Sequence, residues 1–198
     1  MARYTDAVCR LCRREVEKLF LKGPKCYTEK CPVTKRAFAP GQHGESRRQK
    51  QKVKRMYGVM EKQFRKYFAL ATKTKGVTGR VLLQLLERRL DNVVFRLGFA
   101  VSRAQARQIV RHNFVYVNSR RVNIPSYLID ANDIIVVKAK EKAVKKIKEN
   151  LELSKDRDVP KWLEFNATEL SGKVLRLPEK EDIPMTIQEQ LIVELYSK

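Results

Sequence analysis

Apolar side chains recur at helical spacing in the first half of the chain. Tyr57, Met60, Phe64, Tyr67 and Phe68 are related by steps of three and four residues, and basic residues stand between them. This spacing predicts one helix with an apolar stripe and a basic opposite face. We interpret the aromatic rings of this stripe as core residues rather than as platforms for stacked bases.

A second helical pattern follows a glycine-containing break at residues 76–79. The apolar residues from Val81 to Leu97 keep helical spacing, Thr78 is placed to cap the helix, and Gly98 is placed to end it. The pattern therefore predicts one packing helix over this stretch.

A shorter helix is predicted to begin at Ser102. It carries Arg103, Arg107 and Arg111 in one row at four-residue steps. Three arginines in such a row can follow a phosphate backbone.

Alternating apolar and polar residues predict strands in the second half of the chain. Residues 114–123 have the pattern of a hairpin around a polar Asn118-Ser119 turn, and a further strand pair follows Ser126 and ends at residues 134–138. The result is a small basic sheet behind a helix pair.

The end of the chain carries weaker patterns. Residues 138–153 predict a basic helix, and residues 187–196 predict a terminal helix. Residues 162–165 and 173–177 predict strands around a Ser171-Gly172 turn. Acidic residues collect in this part, which suits either a protein neighbour or an ordinary solvated surface.

The charge of the chain points to an anionic partner. Lys and Arg number 43 against 22 Asp and Glu, which leaves a formal charge of +21. Solubility alone is served by a net charge of roughly two to eight on a small domain. A polyphosphate partner releases condensed counterions when Lys and Arg neutralise it, so dispersed cations give strong, salt-sensitive binding.

The first residues of the chain and its hydropathy indicate a cytosolic protein without a membrane partner. Met1 to Asp6 is polar, and no apolar run approaches the roughly 18 residues needed to cross a bilayer. In that reducing compartment cysteines are expected to remain thiols or to bind a metal.

Four cysteines near the N-terminus have the spacing of a metal site. Cys9 and Cys12 form one pair and Cys26 and Cys31 the other, in the pattern C-x2-C-x13-C-x4-C with a Gly23-Pro24 turn between the pairs. Four thiolates can close a tetrahedron around one zinc ion and leave no open position for chemistry. A four-cysteine iron–sulfur cluster is the alternative, because its ligands are the same; two disulfides are the less favoured reading.

The segment from Lys35 to Lys66 is the strongest candidate for RNA contact. Its many Lys and Arg residues are opposed only by Glu45 and Glu61. Residues 40–44, Pro-Gly-Gln-His-Gly, predict a turn whose backbone amides can approach phosphate. A solvated loop is the alternative reading of that turn.

Several motifs resemble one family. LDNVVFRLGF at residues 90–99, SRAQARQ at 102–108 and VNIPSY at 122–127 resemble the RNA-binding module of ribosomal protein S4, which also occurs in pseudouridine synthases, tyrosyl-tRNA synthetases and a heat-shock RNA binder. PGQHG at 40–44, KRMYGV at 54–59 and EQLIVELYSK at 189–198 are similar to the bacterial ribosomal protein itself. The resemblance extends nearly from end to end.

This resemblance implies a function and partners. It implies a structural constituent of the small ribosomal subunit that binds ribosomal RNA at a multi-helix junction of the 5′ domain, nucleates assembly and contributes to translational accuracy. It also implies the fifth small-subunit protein as a neighbour, messenger RNA as a further partner, and a monomer within the ribosome. A free-standing RNA-binding regulator or an RNA-modification accessory protein with the same module is the alternative.

The chain departs from the family pattern in three places. About ten residues are missing between Lys50 and Gln51, which puts contacts of that arm, including messenger unwinding, in doubt. Asn113 replaces the usual glycine of His-Gly-His, and Asn is the next best residue for a left-handed cap. Asn118-Ser119 and Ala131-Asn132-Asp133 replace glycine-containing turns at some conformational cost.

The predicted architecture is α+β with four parts. A metal-binding basic arm covers residues 1–45 and a helical domain residues 46–87, joined by the C-terminal helix at 187–198. The S4-type RNA-binding module, a helix pair with a small antiparallel sheet, covers residues 88–150, and a small β extension covers residues 151–186.

Charge and resemblance together predict a set of RNA-binding residues. They are Arg3, Arg10, Arg13, Arg14, Lys22, Lys25, Lys30, Lys35, Arg36, Gln42, His43, Arg47, Arg48, Lys50, Lys52, Lys54, Arg55, Tyr57, Lys62, Arg65, Lys66, Lys73, Arg103, Gln105, Arg107, Arg111, His112, Asn118, Arg120, Arg121 and Ser126.

The sequence speaks against catalysis. His43 and His112 are the only histidines, and no P-loop, GxGxxG or paired-carboxylate motif is present. An RNA-modifying enzyme would need a further catalytic domain, for which 198 residues leave no room. We therefore predict a binding protein.

Overall fold

A computed structural model describes residues 4–35, 45–154, 157–183 and 187–197. The chain divides into two compact units. We call Met1–Leu83 with Pro184–Lys198 the helical unit, and Gln84–Ile183 the sheet unit. No described helix is long and apolar enough to cross a bilayer.

The helical unit begins with short elements around the cysteines. Helix α1 spans Cys9–Glu15, a 3₁₀ helix spans Gly23–Cys26, and α2 spans Pro32–Lys35. Gly23 has φ +74°, a left-handed conformation that suits glycine. The predicted turn between the cysteine pairs is therefore present.

The predicted single helix around Tyr57 and Phe68 is two helices. Helix α3 spans Glu45–Tyr57 and α4 spans Glu61–Lys73. Gly58, at φ +63°, ends α3, and the Val59 amide donates to the Lys54 carbonyl at 2.9 Å. The core interpretation of the stripe holds for Tyr57, Phe64 and Tyr67, which are buried, whereas Met60 in the break is exposed.

The C-terminal helix packs within the helical unit. Helix α9, Glu189–Ser197, lies against α3. The Tyr196 ring is 4.7 Å from the Phe68 ring and 5.9 Å from the Phe64 ring, centroid to centroid. Aromatic stacking and apolar burial thus join the last helix to residues far away in sequence.

The second predicted helix, over residues 81–97, is also divided into two helices. Helix α5 spans Thr78–Glu87 and α6 spans Leu90–Arg96. The break lies at Arg89, whose extended backbone pairs with Leu128 as an isolated antiparallel bridge. Apolar spacing continues across the break because each helix buries an apolar face, with Leu82 and Leu86 of α5 and Leu90 and Val94 of α6 all buried. Thr78 lies inside α5 rather than at its cap, since the Val81 amide already donates to the Val77 carbonyl.

Helix α7 spans Arg103–Arg111 and begins directly after Ser102, as predicted. Ser102 caps it by accepting a hydrogen bond from the Gln105 amide at 3.3 Å. Gly98, at φ +83°, follows the end of α6, and Asn113, at φ +65°, takes the left-handed conformation expected after α7.

The sheet unit contains one antiparallel sheet in the order β2-β1-β3-β5-β4. Strands β1 and β2 form the predicted hairpin, with Asn118 and Ser119 at φ +47° and +67° as a type I′ turn requires. The bounds are β1 Val115–Val117, β2 Arg120–Arg121, β3 Ile134–Val137, β4 Leu163–Asn166 and β5 Ser171–Val174, with α8 at Glu141–Glu152 between β3 and β4.

Two strand predictions are wrong in detail. The expected strand pair after Ser126 is β3 alone, which pairs with β1 and β5, because Leu128 makes only its bridge to Arg89. The expected Ser171-Gly172 turn lies inside β5. The reversal precedes it, where the Asn166 side chain accepts hydrogen bonds from the Thr168 amide and hydroxyl.

One core holds α6, α7, α8 and the sheet together. It includes Phe99, Val110, Ile135 and Trp162, each no more than 1% exposed. A Cβ placed on Gly172 would lie 2.5 Å from the Leu97 Cδ2 atom, so this strand position has room only for glycine. Gly172, predicted from the sequence to lie in a turn, is thus a glycine because the Leu97 side chain approaches the strand closely at this position.

Replacing Gly172 with Ala should destabilise the sheet unit by about 1–3 kcal/mol, because the methyl group overpacks against buried Leu97. Urea unfolding followed by fluorescence of Trp162, the only tryptophan, would measure this. Lys173→Ala, an exposed neighbour on β5, is the control and should leave the midpoint nearly unchanged. An unchanged midpoint for Gly172→Ala would contradict the close approach.

Candidate nucleic-acid interface

Four cations of α3, in the segment predicted as the strongest RNA contact, are held by internal ion pairs. Lys50 and Lys54 contact Glu61 at 3.2 and 2.6 Å, Lys52 contacts Glu17 at 2.6 Å, and Arg55 contacts Glu15. The side chains of the four cations are only 10–17% exposed. Tyr57 is buried at 3% exposure. These residues build the helical unit and leave little surface for RNA.

Glu61 is the centre of this network. Burial disfavours its charged form, but hydrogen bonds from Lys54, Tyr196 and Lys50 outweigh burial and lower the pKa of Glu61 to about 2. The Lys50 ammonium also lies 5.1 Å from the centroid of the Tyr196 ring. One carboxylate therefore ties α3, α4 and α9 together.

Helix α4 presents its remaining cations to solvent. Lys62, Lys66 and Lys73 are exposed, and the Arg65 side chain is 71% exposed although its Nε donates to Glu61 at 3.2 Å. The basic face predicted opposite the apolar stripe is therefore present on this helix.

The arginine row of α7 is only partly free. The Arg103 Nε donates to Asn92 at 2.9 Å, and its guanidinium lies 4.5 Å from the Phe95 ring centroid. Arg107 donates to Asp91 at 3.2 Å, whereas Arg111 is exposed. Two arginines of the row are thus oriented by buried groups of α6, and one faces solvent.

Asp91 and Glu87 are buried carboxylates that the sequence did not single out. Asp91 receives two hydrogen bonds from Arg89, at 3.0 and 2.6 Å, in addition to Arg107. Glu87 receives two from Arg96 at 3.1 and 2.6 Å and one from Asn92 at 2.6 Å. Multiple charge-assisted bonds offset the desolvation of each carboxylate. The acids and arginines interspersed between residues 87 and 96 could have indicated these ion pairs from the sequence.

Arg157 is a further cation that the prediction missed. Its guanidinium lies 4.5 Å from the Phe95 ring centroid, the same distance as that of Arg103, and donates to the Ala100 carbonyl at 3.0 Å. It follows α8 in sequence, outside the motifs that carry the resemblance, so spacing gave no indication of it.

The predicted polar residues of the sheet unit divide into structural and exposed ones. Asn118 holds its turn by donating to Asp133 at 2.7 Å and accepting from the Ile134 amide at 3.0 Å. Gln105 accepts from the Val101 amide at 2.9 Å and donates to Asn150. His112, Arg120 and Arg121 are exposed, and Ser126 is partly exposed.

The cysteine region presents several cations. Arg10, Arg14, Lys22, Lys25 and Lys30 are exposed, and Arg13 is partly exposed. The predicted residues Arg3, Arg36, Gln42 and His43 lie outside the described residues, as do the side chains of Lys35, Arg47 and Arg48.

All four cysteines are free thiols, so the structure contains neither of the two disulfides of the less favoured interpretation. Cys12, Cys26 and Cys31 are buried, and the Lys22 amide donates to the Cys26 Sγ at 3.4 Å. Burial raises the pKa of Cys12, and the nearby thiols of Cys26, Cys9 and Cys31 raise it further, whereas a backbone hydrogen bond at Leu19 lowers it. The all-thiol donor set suits a soft metal ion. Among the described side chains, however, no group of three or more His, Cys, Asp or Glu has an arrangement that could hold one.

Arg111→Ala should flatten the dependence of RNA affinity on salt by about 0.7–0.9 log units per log unit, as expected when one phosphate contact is lost. Filter binding over a salt series measures this slope. The matched control is Arg176→Ala, because Arg176 is bound to Asp182 at 2.8 and 3.0 Å and is not a predicted RNA contact. Equal slopes for Arg111→Ala and the unchanged chain would place Arg111 off the RNA.

Comparison with known proteins identifies the family. Residues 3–87 match the model of the ribosomal protein S4/S9 N-terminal domain, and residues 88–135 match the S4 domain. Small ribosomal subunit protein uS4 of Thermodesulfovibrio yellowstonii is 57% identical over 208 residues, and that of Acetivibrio thermocellus 56%, with the whole of both chains covered in each comparison. Protein uS4A of Symbiobacterium thermophilum is 57% identical over the same span.

The length of these alignments bears on the predicted shortening. They span 208 positions against 198 residues in this chain, so the relatives carry about ten residues with no counterpart here. The number of missing residues agrees with the prediction of about ten. The location of the missing segment near Lys50 stays a prediction. With two family models matched in succession and relatives similar from end to end, the chain belongs to the bacterial small ribosomal subunit protein uS4 family.

Proposed function

We propose that this chain binds small-subunit ribosomal RNA as a structural constituent of the small ribosomal subunit. The observation that carries this proposal is the full-length 57% identity with uS4 proteins. The family is structural rather than enzymatic, and small-subunit proteins are cytoplasmic in bacteria. The charge of +21 provides the electrostatic affinity.

The finer role follows from the family resemblance. The chain recognises a multi-helix junction in the 5′ domain, nucleates assembly there and contributes to translational accuracy. Its protein neighbour is the fifth small-subunit protein, and messenger RNA is a further partner. Recognition of a folded junction by shape and phosphate position suits cations distributed over several surfaces.

Three groups of exposed cations are the proposed RNA contacts. The cysteine region, the solvent face of α4 and the α7–hairpin surface each supply one group. Their members are Arg10, Arg14, Lys22, Lys25 and Lys30; Lys62, Arg65, Lys66 and Lys73; and Arg111, Arg120 and Arg121.

A high-salt wash of isolated small subunits tests the proposal. The unchanged chain should remain bound, because a primary RNA-binding protein combines many phosphate contacts with shape recognition. A variant with Arg111, Arg120 and Arg121 replaced by Ala should be lost at lower salt, whereas the Arg176→Ala control should be retained. Complete loss of the unchanged chain would instead favour the free-standing regulator.

We further propose that the four cysteines bind one zinc ion, with a four-cysteine iron–sulfur cluster as the alternative. The all-thiol donor set and the burial of Cys12, Cys26 and Cys31 support this proposal. Binding would require the sulfurs to draw together into a tetrahedron, which couples metal binding to folding of this region. The ion would be structural, because the protein supplies all four ligands.

Replacing Cys9 and Cys12 with Ala should release the metal and unfold roughly the first thirty residues, with weaker RNA binding as a result. Limited trypsin digestion measures the loss of protection, and treatment of the unchanged chain with a chelator should reproduce it. Metal analysis with an absorption spectrum on anaerobically purified protein separates colourless zinc from a coloured cluster. Unchanged protease resistance in both experiments would rule out a structural metal.

A further inference from the structure

Two aromatic rings form a pair in the cysteine region: Phe20 lies between the two cysteine pairs, and Tyr27 lies between Cys26 and Cys31. The ring centroids of Phe20 and Tyr27 are 4.9 Å apart, with 31° between the ring planes. Phe20 is partly buried, whereas Tyr27 is 61% exposed and is the most exposed aromatic residue in the described part of the chain. Phe20 therefore supports a ring that stays largely open to solvent.

The backbone holds this pair in place. Tyr27 follows the 3₁₀ helix Gly23–Cys26, and its amide donates to the Pro24 carbonyl at 3.1 Å. Cys26, the residue immediately before Tyr27, is buried and anchors the chain at this point. Phe20 has φ +51°, an unfavourable backbone conformation for a residue other than glycine that persists only where the surroundings determine it. The pair is thus presented by a constrained turn rather than by a long flexible loop.

The surroundings of the pair are positively charged. Lys22, Lys25 and Lys30 are exposed and lie close to Tyr27 in the sequence, and Glu29 is the only acid between residues 22 and 30. A base stacked on an aromatic ring brings flanking phosphates that such lysines can neutralise. An apolar protein segment would cover the ring but would leave these cations uncompensated.

We propose that Phe20 and Tyr27 form a stacking platform for an unpaired base of the bound RNA, with Lys22 and Lys25 contacting the adjoining phosphates. This inference rests on the RNA-binding function proposed above and adds to it a site that reads single-stranded RNA. Stacking is tolerant of base identity, because every base has a π face, so the platform recognises an unstacked nucleotide rather than a particular sequence.

Substitutions at Tyr27 separate stacking from other roles. Tyr27→Leu keeps an apolar side chain but removes the aromatic face, and it should weaken binding of a small-subunit ribosomal RNA transcript by roughly 5- to 140-fold. Tyr27→Phe keeps the face and should bind nearly as the unchanged chain does. Neither should alter the salt slope, whereas Lys25→Ala should flatten it by about 0.7–0.9.

Ultraviolet crosslinking of the unchanged chain in its RNA complex provides a measurement independent of mutant folding. A nucleotide adduct is expected on Tyr27 in the tryptic peptide of residues 26–30, and Tyr27→Leu should lose it. Wild-type affinity in Tyr27→Leu, or RNA binding by the unchanged chain without an adduct on Tyr27, would overturn the platform and favour a protein segment as the occupant. Failure of the unchanged chain to bind the transcript would instead overturn the proposed function itself.

Discussion

Fully or partly buried carboxylates hold several cations of this protein in internal ion pairs. A carboxylate removed from water must be paired or hydrogen-bonded, because an isolated buried charge is too costly to retain. Asp91 and Glu87 meet this requirement with arginines in the sheet unit. In the helical unit Glu61, whose side chain is 34% exposed, is paired with Lys50 and Lys54. The same pairs hold helices in place, so packing and charge distribution are set by one set of contacts.

This division gives the basic residues two distinct roles. Most cations of α3 stabilise the helical unit, although their density in sequence is the highest in the chain. In the sheet unit, Asp91 and Asn92 limit the freedom of Arg107 and Arg103, which favours a defined orientation before RNA arrives. Arg111 and the hairpin arginines remain exposed. Several cations of the chain are therefore engaged in internal ion pairs rather than presented to solvent.

The apolar pattern predicted the presence of most helices and strands but not all of their boundaries. Two predicted helices are each divided in two, because apolar spacing survives a break when each half buries an apolar face. Gly58 caused one break, and the presence of a glycine at this position could have indicated it from the sequence. Arg89 caused the other through a bridge to Leu128, which no local pattern reveals. Gly172 was assigned to a turn because glycine is common there, whereas its partner is Leu97, far away in sequence.

The sequence by itself determined the α+β class, the hairpin with its Asn118-Ser119 turn, the capped α7 helix and the family, because each depends on local propensity or on contiguous motifs. It also determined that the partner is anionic, because net charge does not depend on folding. Only the tertiary structure decided which cations are paired, since a salt bridge such as Arg55 to Glu15 joins residues that are distant in sequence. The tertiary structure also placed Phe20 against Tyr27 and left the Tyr27 ring exposed, because the path of the turn between them cannot be read from residue spacing.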